Sequence, residues 1–167
     1  SEMCIRDRLQ LKGNKPYLWE GIYEGGTDPG PDYEIPGEAL NDPAFAALMK
    51  EATKYIGWPY VWGGSSPETS FDCSGFVSYV FTNSGVCNMG RLTAQGIYDI
   101  CMPVSPEEAR PGDIIFFTGT YDAGEPVTHV GIYAGDGQMI HCGNPISYAS
   151  TESNYWQQHF YCFGRVR

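Results

Sequence analysis

Positive charge is scarce in this chain of 167 residues: 10 lysines and arginines stand against 20 aspartates and glutamates, for a net charge of −10. That field opposes binding to a polyanion, so DNA and RNA are not expected partners. Long apolar runs are missing as well. No stretch approaches the roughly 20 residues that cross a bilayer as a helix, so membrane insertion of this chain is not expected, and no hydrophobic signal stretch follows Ser1. The six cysteines include no Cys-x-x-Cys pair, which removes zinc-ribbon and thioredoxin-type arrangements. Histidine is rarer still. With three in all, histidine-dependent chemistry must fall on His129, His141 or His159.

Glycine, proline and aromatic residues are plentiful: 21 Gly, 12 Pro and 14% aromatic. They predict turns and short strands around one core, with monomer as the default state. Ser1–Arg8 fits nothing downstream; Met3-Cys4-Ile5-Arg6-Asp7-Arg8 resembles translated adaptor sequence and carries no weight in the function. Residues 16–42 hold seven acidic groups and no basic one. With their Gly and Pro content, residues 1–41 read as a leader and linker, and Tyr17, Trp19, Tyr23 and Tyr33 suggest that parts of it pack on the domain.

The folded domain is expected over residues 42–167. Asp42 reads as an N-cap with Pro43 at the first helical position, and Phe45, Leu48, Met49, Ala52 and Ile56 recur at helical spacing until Gly57. A second helix is expected from Asp72 or Cys73 to Asn83-Ser84-Gly85, buried along Phe76, Val77, Val80 and Phe81, and a short one after Thr93. From Asp113 the period changes. Residues 113–117, 128–133, 138–142 and 160–166 read as strands, with Gly135-Asp136-Gly137 as a hairpin turn. Helices first and antiparallel strands after make an α+β fold.

Cys73 lies where the second helix begins. A helix N-terminus favours a thiolate, so the expectation is a depressed pKa and a nucleophilic sulfur, with Gly75 leaving room for a substrate backbone. A cysteine nucleophile needs a base. His129 opens one strand of the hairpin and His141 ends the other, so the two are expected as cross-strand neighbours. The rival reading of this pair as a metal site lacks a third ligand unless Cys73 serves. His159, in the polar run Trp156-Gln157-Gln158-His159, reads as a surface residue.

Five motifs in order carry a family resemblance: Tyr60-Val61-Trp62-Gly63-Gly64, Asp72-Cys73-Ser74-Gly75-Phe76-Val77, Arg110-Pro111-Gly112-Asp113-Ile114-Ile115-Phe116-Phe117, His129-Val130-Gly131-Ile132-Tyr133 and Met139-Ile140-His141. Over about residues 42–166 the chain resembles the NlpC cell-wall cysteine peptidases. The resemblance implies a papain-like fold, with N-terminal helices packed on a central antiparallel sheet. It implies hydrolysis of peptidoglycan stem peptides, usually at the γ-D-glutamyl to diamino-acid bond, with no cofactor and no metal. Cys73 maps to its nucleophile, His129 to its base, His141 to its orienting residue and Tyr60 to its tyrosine beside the nucleophile. Asp72 and Ser74 match positions that help hold the free amino end of a stem peptide. Helix capping explains Asp72 equally well. Arg91 and Thr93 match a segment that lines the cleft, and Arg91 reads equally as a solvated charge. Cys142 stands where a small residue is common, close enough to the site to invite oxidation. An acidic linker before such a domain also resembles the C-terminal hydrolase modules of Gram-positive mobile-element proteins, which implies export within a longer protein and action outside the cell or at its wall. The other readings are a non-catalytic binding module on the same fold and a papain-like amidase or acyltransferase.

Overall fold

The Asp42 carboxylate accepts from the Ala44 N–H at 3.0 Å, and Pro43 takes the first helical position. Helix α1 (Pro43–Ala52) follows, then a 3-10 turn over Thr53–Tyr55. Phe45, Leu48, Met49 and Ala52 are buried, whereas Ile56 lies beyond the helix and is exposed. This computed structural model describes residues 33–121 and 124–167, so the expected packing of Tyr17, Trp19 and Tyr23 lies outside the described residues. Tyr33 is within them. Its ring meets Tyr148 edge-on at 5.2 Å and its hydroxyl donates to the carbonyl of Ala134 at 3.3 Å.

A two-stranded ribbon, β1 (Ser65–Ser66) and β2 (Ser70–Phe71), leads into α2 (Cys73–Asn83). Gly85 beyond α2 has φ +83°, a conformation that suits glycine. Helix α3 (Ala94–Asp99) is capped by Thr93, whose hydroxyl accepts from Gly96 N–H at 2.9 Å. The strands after it are β3 (Cys101–Val104), β4 (Ile114–Phe117), β5 (His129–Gly135), β6 (Gln138–Cys142) and β7 (Ile146–Ser150). Helix α4 (Asn154–His159) and strand β8 (Phe160–Val166) close the chain. The antiparallel sheet runs β3-β8-β4-β5-β6-β7. β8, the expected closing strand, enters between β3 and β4, where its Arg165 pairs with buried Asp113 at 2.7 Å.

Two apolar layers sandwich the sheet. Val130, Ile132, Ala134, Ile140 and Cys142 face α1 and α2, together with Phe76, Val77 and Val80. Met139, Phe117, Ile115 and Phe163 face the other way, onto Trp156 of α4. The period of two along β5 and β6 therefore sends His129 and His141 to the Trp156 side. The architecture is α+β and papain-like, with the N-terminal helices on one face of a central antiparallel sheet.

Candidate functional site

Asp72 fixes the start of α2. Its Oδ1 accepts from Gly75 N–H at 2.7 Å, and the Asp72 side chain is 1% exposed. A buried carboxylate requires compensation, and Arg91 supplies it: Nη2 donates to both Asp72 oxygens at 3.1 and 3.0 Å, while Nη1 donates to Ser74 Oγ at 3.0 Å. Asp72, Ser74 and Arg91 thus form one hydrogen-bonded group beside Cys73, with Thr93 two residues beyond Arg91. Asp72 acts here as a cap and an ion-pair partner, and Arg91 is tied inward.

Gly75 has a different use from the one its position suggests. A side chain there would strike the Gly64 carbonyl oxygen. The room is filled by the chain's own backbone, since that carbonyl accepts from Asp72 N–H at 3.0 Å. Tyr60, four residues before Gly64, has its hydroxyl in a buried position in electrostatic contact with Asp72, Cys73, Cys142 and Tyr121. Burial pushes that hydroxyl well above the ordinary tyrosine range.

Cys73 is 1% exposed. Burial pushes its thiol up, and the Asp72 carboxylate adds to the shift. Arg91 and the backbone N–H groups of Ser74 and Val130 oppose it without cancelling it. The depressed pKa expected from the helix N-terminus is therefore not found: desolvation and a neighbouring negative charge outweigh half a helix dipole. Val130 directly follows His129, so the start of α2 meets the start of β5.

His129 Nε2 lies 2.9 Å from His141 Nδ1, with both residues buried. The register differs from direct pairing. Ile132 faces Ile140 and Tyr133 faces Met139, and continuing that ladder sets His141 opposite Gly131, two residues along from His129. Gly131 leaves the space: a Cβ there would lie 3.1 Å from that of His141. Burial, then proximity to His141, holds His129 well below its ordinary 6.5, and burial pushes His141 down to about 3. Cysteine and both histidines accordingly rest uncharged.

Those shifts set a sign for stability. Below about pH 6.5 an unfolded chain protonates both imidazoles while the folded chain does not, so stability falls as pH drops, for His141 until about pH 3. Each histidine contributes a slope on the order of 1.4 kcal/mol per pH unit. Thermal unfolding of wild type and His141→Asn between pH 7 and 4 is expected to show a shallower decline in the variant. Parallel curves would contradict the buried neutral state.

Trp156 is a residue that its polar surroundings in the sequence concealed. It is 0% exposed and its indole stacks on the His129 ring, with centroids 5.1 Å apart and planes 22° apart. His159 is half-buried rather than a surface residue, its Nδ1–H donating to the Thr118 carbonyl at 2.8 Å. Cys142 is fully buried, faces the helices and donates to the Phe71 carbonyl at 3.2 Å. Among the described residues no group of three or more His, Cys, Asp or Glu could hold a metal ion.

The family model described as NlpC/P60 family matches residues 57–165. The chain is 46% identical over 124 residues to the bifunctional muramidase/DL-endopeptidase CwlT of Bacillus subtilis (strain 168), covering 74% of this chain and 37% of that protein. It is 38% identical over 149 residues to the gamma-DL-glutamyl hydrolase of the same organism, covering 86% of this chain and 32% of that protein. The chain thus spans about a third of the length of these two curated relatives. A lipoprotein-like NLP/P60 family structure from Staphylococcus aureus matches at TM-score 0.72 and 45% identity, over 84% of this chain and 45% of that one. The chain belongs to the NlpC/P60 family.

Proposed function

We propose that residues 42–167 form a peptidase unit that hydrolyses stem peptides of bacterial peptidoglycan, at the γ-D-glutamyl to diamino-acid bond, outside the cell or at its wall. The observation that carries this reading is the 2.9 Å join of His129 to His141 on the strand whose next residue, Val130, reaches the Cys73 sulfur. The names of the two relatives, a DL-endopeptidase and a gamma-DL-glutamyl hydrolase, support the bond.

His129 Nε2 is engaged by His141, so the proton from Cys73 passes to His129 Nδ1. The imidazolium that forms donates at both nitrogens, which requires His141 to accept at Nδ1 and to keep its own proton on Nε2. The thiolate sulfur attacks the γ-carbonyl carbon. The backbone N–H of Cys73 at the helix start, with Tyr60, stabilises the oxyanion. His129 returns the proton to the leaving amine, leaving a thioester that water opens with His129 as base. Arg91, with Thr93 beside it, lines the approach and receives a charged end of the stem, held in place from within by the buried Asp72 and Ser74, while Tyr60 stays at the reacting carbonyl.

The test is product identity. Purified peptidoglycan of the diaminopimelate and lysine types, incubated with the reduced protein, is expected to yield new amino termini on the diamino acid and new carboxyl termini on D-glutamate, read by mass. A protein that sediments with the wall yet releases nothing from either type is a binding module; a cut at another peptide bond changes the bond assigned, and a cut between the sugar and the stem makes the protein an amidase.

A further inference from the structure

We infer that Trp156 is a positioning residue for this chemistry: its indole face sets the plane of the His129 ring, and its flank closes the His129–His141 hydrogen bond off from water. The inference rests on the catalytic reading of the pair for its kinetic consequences and on geometry for the rest. Three rings meet here. Trp156 stacks on His129 at 5.1 Å and 22°, and meets His141 edge-on at 5.3 Å and 86°. The two imidazoles are themselves perpendicular, at 5.1 Å and 85°, so one flat side chain touches both members of the pair at once. Phe117 packs beside both rings, 4.4 Å from the indole and 5.9 Å from the His129 imidazole.

The element that delivers Trp156 serves little else. Helix α4 has six residues, Ser153 caps it, and Trp156 is the residue it buries. Gln157 and Gln158 face solvent, and Gln157 ties the helix down by donating to the Thr151 carbonyl at 2.7 Å. A stacked neighbour denies His129 rotation about its χ2 bond, which is the broad, soft torsion of an imidazole. Exclusion of water strengthens the hydrogen bond that holds the other ring nitrogen. Helix α4 carries no Asp, Glu, Lys or Arg, and its His159 is turned to Thr118; at the start of α2 stand Cys73 and the cap Asp72, which is paired with Arg91 from the segment before α3.

Two readouts separate positioning from simple packing. Trp156→Leu fills the space without a flat face. It is expected to lower kcat about tenfold with KM within about twofold, and to move the acid limb of the rate profile up toward the ordinary histidine range, near about 6.5. Trp156→Phe, which restores a ring face, is expected to recover most of kcat. The second readout needs no turnover. In Cys73→Ala protein labelled with 15N-histidine, the imidazole proton between His129 and His141 is expected as a resolved downfield signal that exchanges slowly with water, and as a signal broadened by exchange once Leu replaces Trp156. A folded Trp156→Leu variant with wild-type kcat, acid limb and proton exchange overturns the inference. So does a proton in the Cys73→Ala protein that exchanges as fast as that of exposed imidazole, whether or not any Trp156 variant folds. Because the proton signal is read without substrate, failure of the peptidase reading and failure of this one remain distinguishable.

Discussion

Alanine in place of Cys73 is expected to reduce release of stem-peptide termini to background, a loss on the order of a million-fold in kcat, and alanine in place of His129 is expected to cost a similar factor. The two groups act as one unit. Without the sulfur there is no thioester, and without His129 Nδ1 a thiol held protonated by its burial has nowhere to send its proton. The double variant is therefore expected to be no worse than either single one. Mass-resolved product yield from purified peptidoglycan measures all three. Release that persists at the wild-type rate in Cys73→Ala would place the chemistry elsewhere. Cys73→Ala should keep the fold, since it removes one sulfur atom; His129→Ala also takes the partner from the buried His141 Nδ1, so its circular dichroism is read beside its activity.

The second large effect is on stability. Gly75→Ala is expected to destabilise the fold by about 3–5 kcal/mol and lower the unfolding midpoint by roughly 10–15 °C. The methyl group would collide with the Gly64 carbonyl, and Gly64 cannot retreat, because its own Cα faces the backbone of Ser70. Its carbonyl also holds the Asp72 N–H. Displacing it pulls on the cap of α2 and on Cys73 together, so activity should fall with stability. Gly37→Ala is the control: a Cβ there meets nothing within 4 Å and its φ needs no glycine. Thermal unfolding followed by circular dichroism decides. A Gly75→Ala midpoint within a degree or two of wild type would refute the close approach.

The contrast between these two glycines shows what can be read from a sequence and what cannot. The start of α1 and both ends of α2 were legible because their signals are local: Asp42-Pro43 and Asp72 as caps, apolar residues at helical spacing, Gly85 beyond the end; the far end of α1 was not, since the helix stops at Ala52, four residues short of Ile56. The hairpin that joins His129 to His141 was legible from its turn at 135–137. Its diagonal geometry was not, because register depends on the bulge between Tyr133 and Gly135. Strand β3 carries Pro103, and β7 follows Asn144-Pro145, so both were disguised as loop. Trp156 was hidden by Gln157 and Gln158, because a helix of six residues with one buried position has no period to detect. The acid strength of Cys73 was read from the helix alone, and the sheet, Asp72 and the loss of water reversed it. Local capping and turn chemistry carries across to the structure; whatever depends on which distant backbone fills a gap does not.

The contact of Tyr33 with the hairpin has a mechanical consequence. Its hydroxyl reaches the carbonyls of Ala134 and Gly135, at the turn end of β5, whereas His129 stands at the opposite end of that strand. Six residue steps separate them, about 20 Å. Tension transmitted along the polypeptide from before Tyr33 is taken up first at that turn and, through the ring contact, at Tyr148 of β7, which pairs with Ile140 beside His141. A pull on this end therefore loads the turn, far from His129, and the neighbour of His141 at the same time, so the two members of the pair sit at different distances from the load.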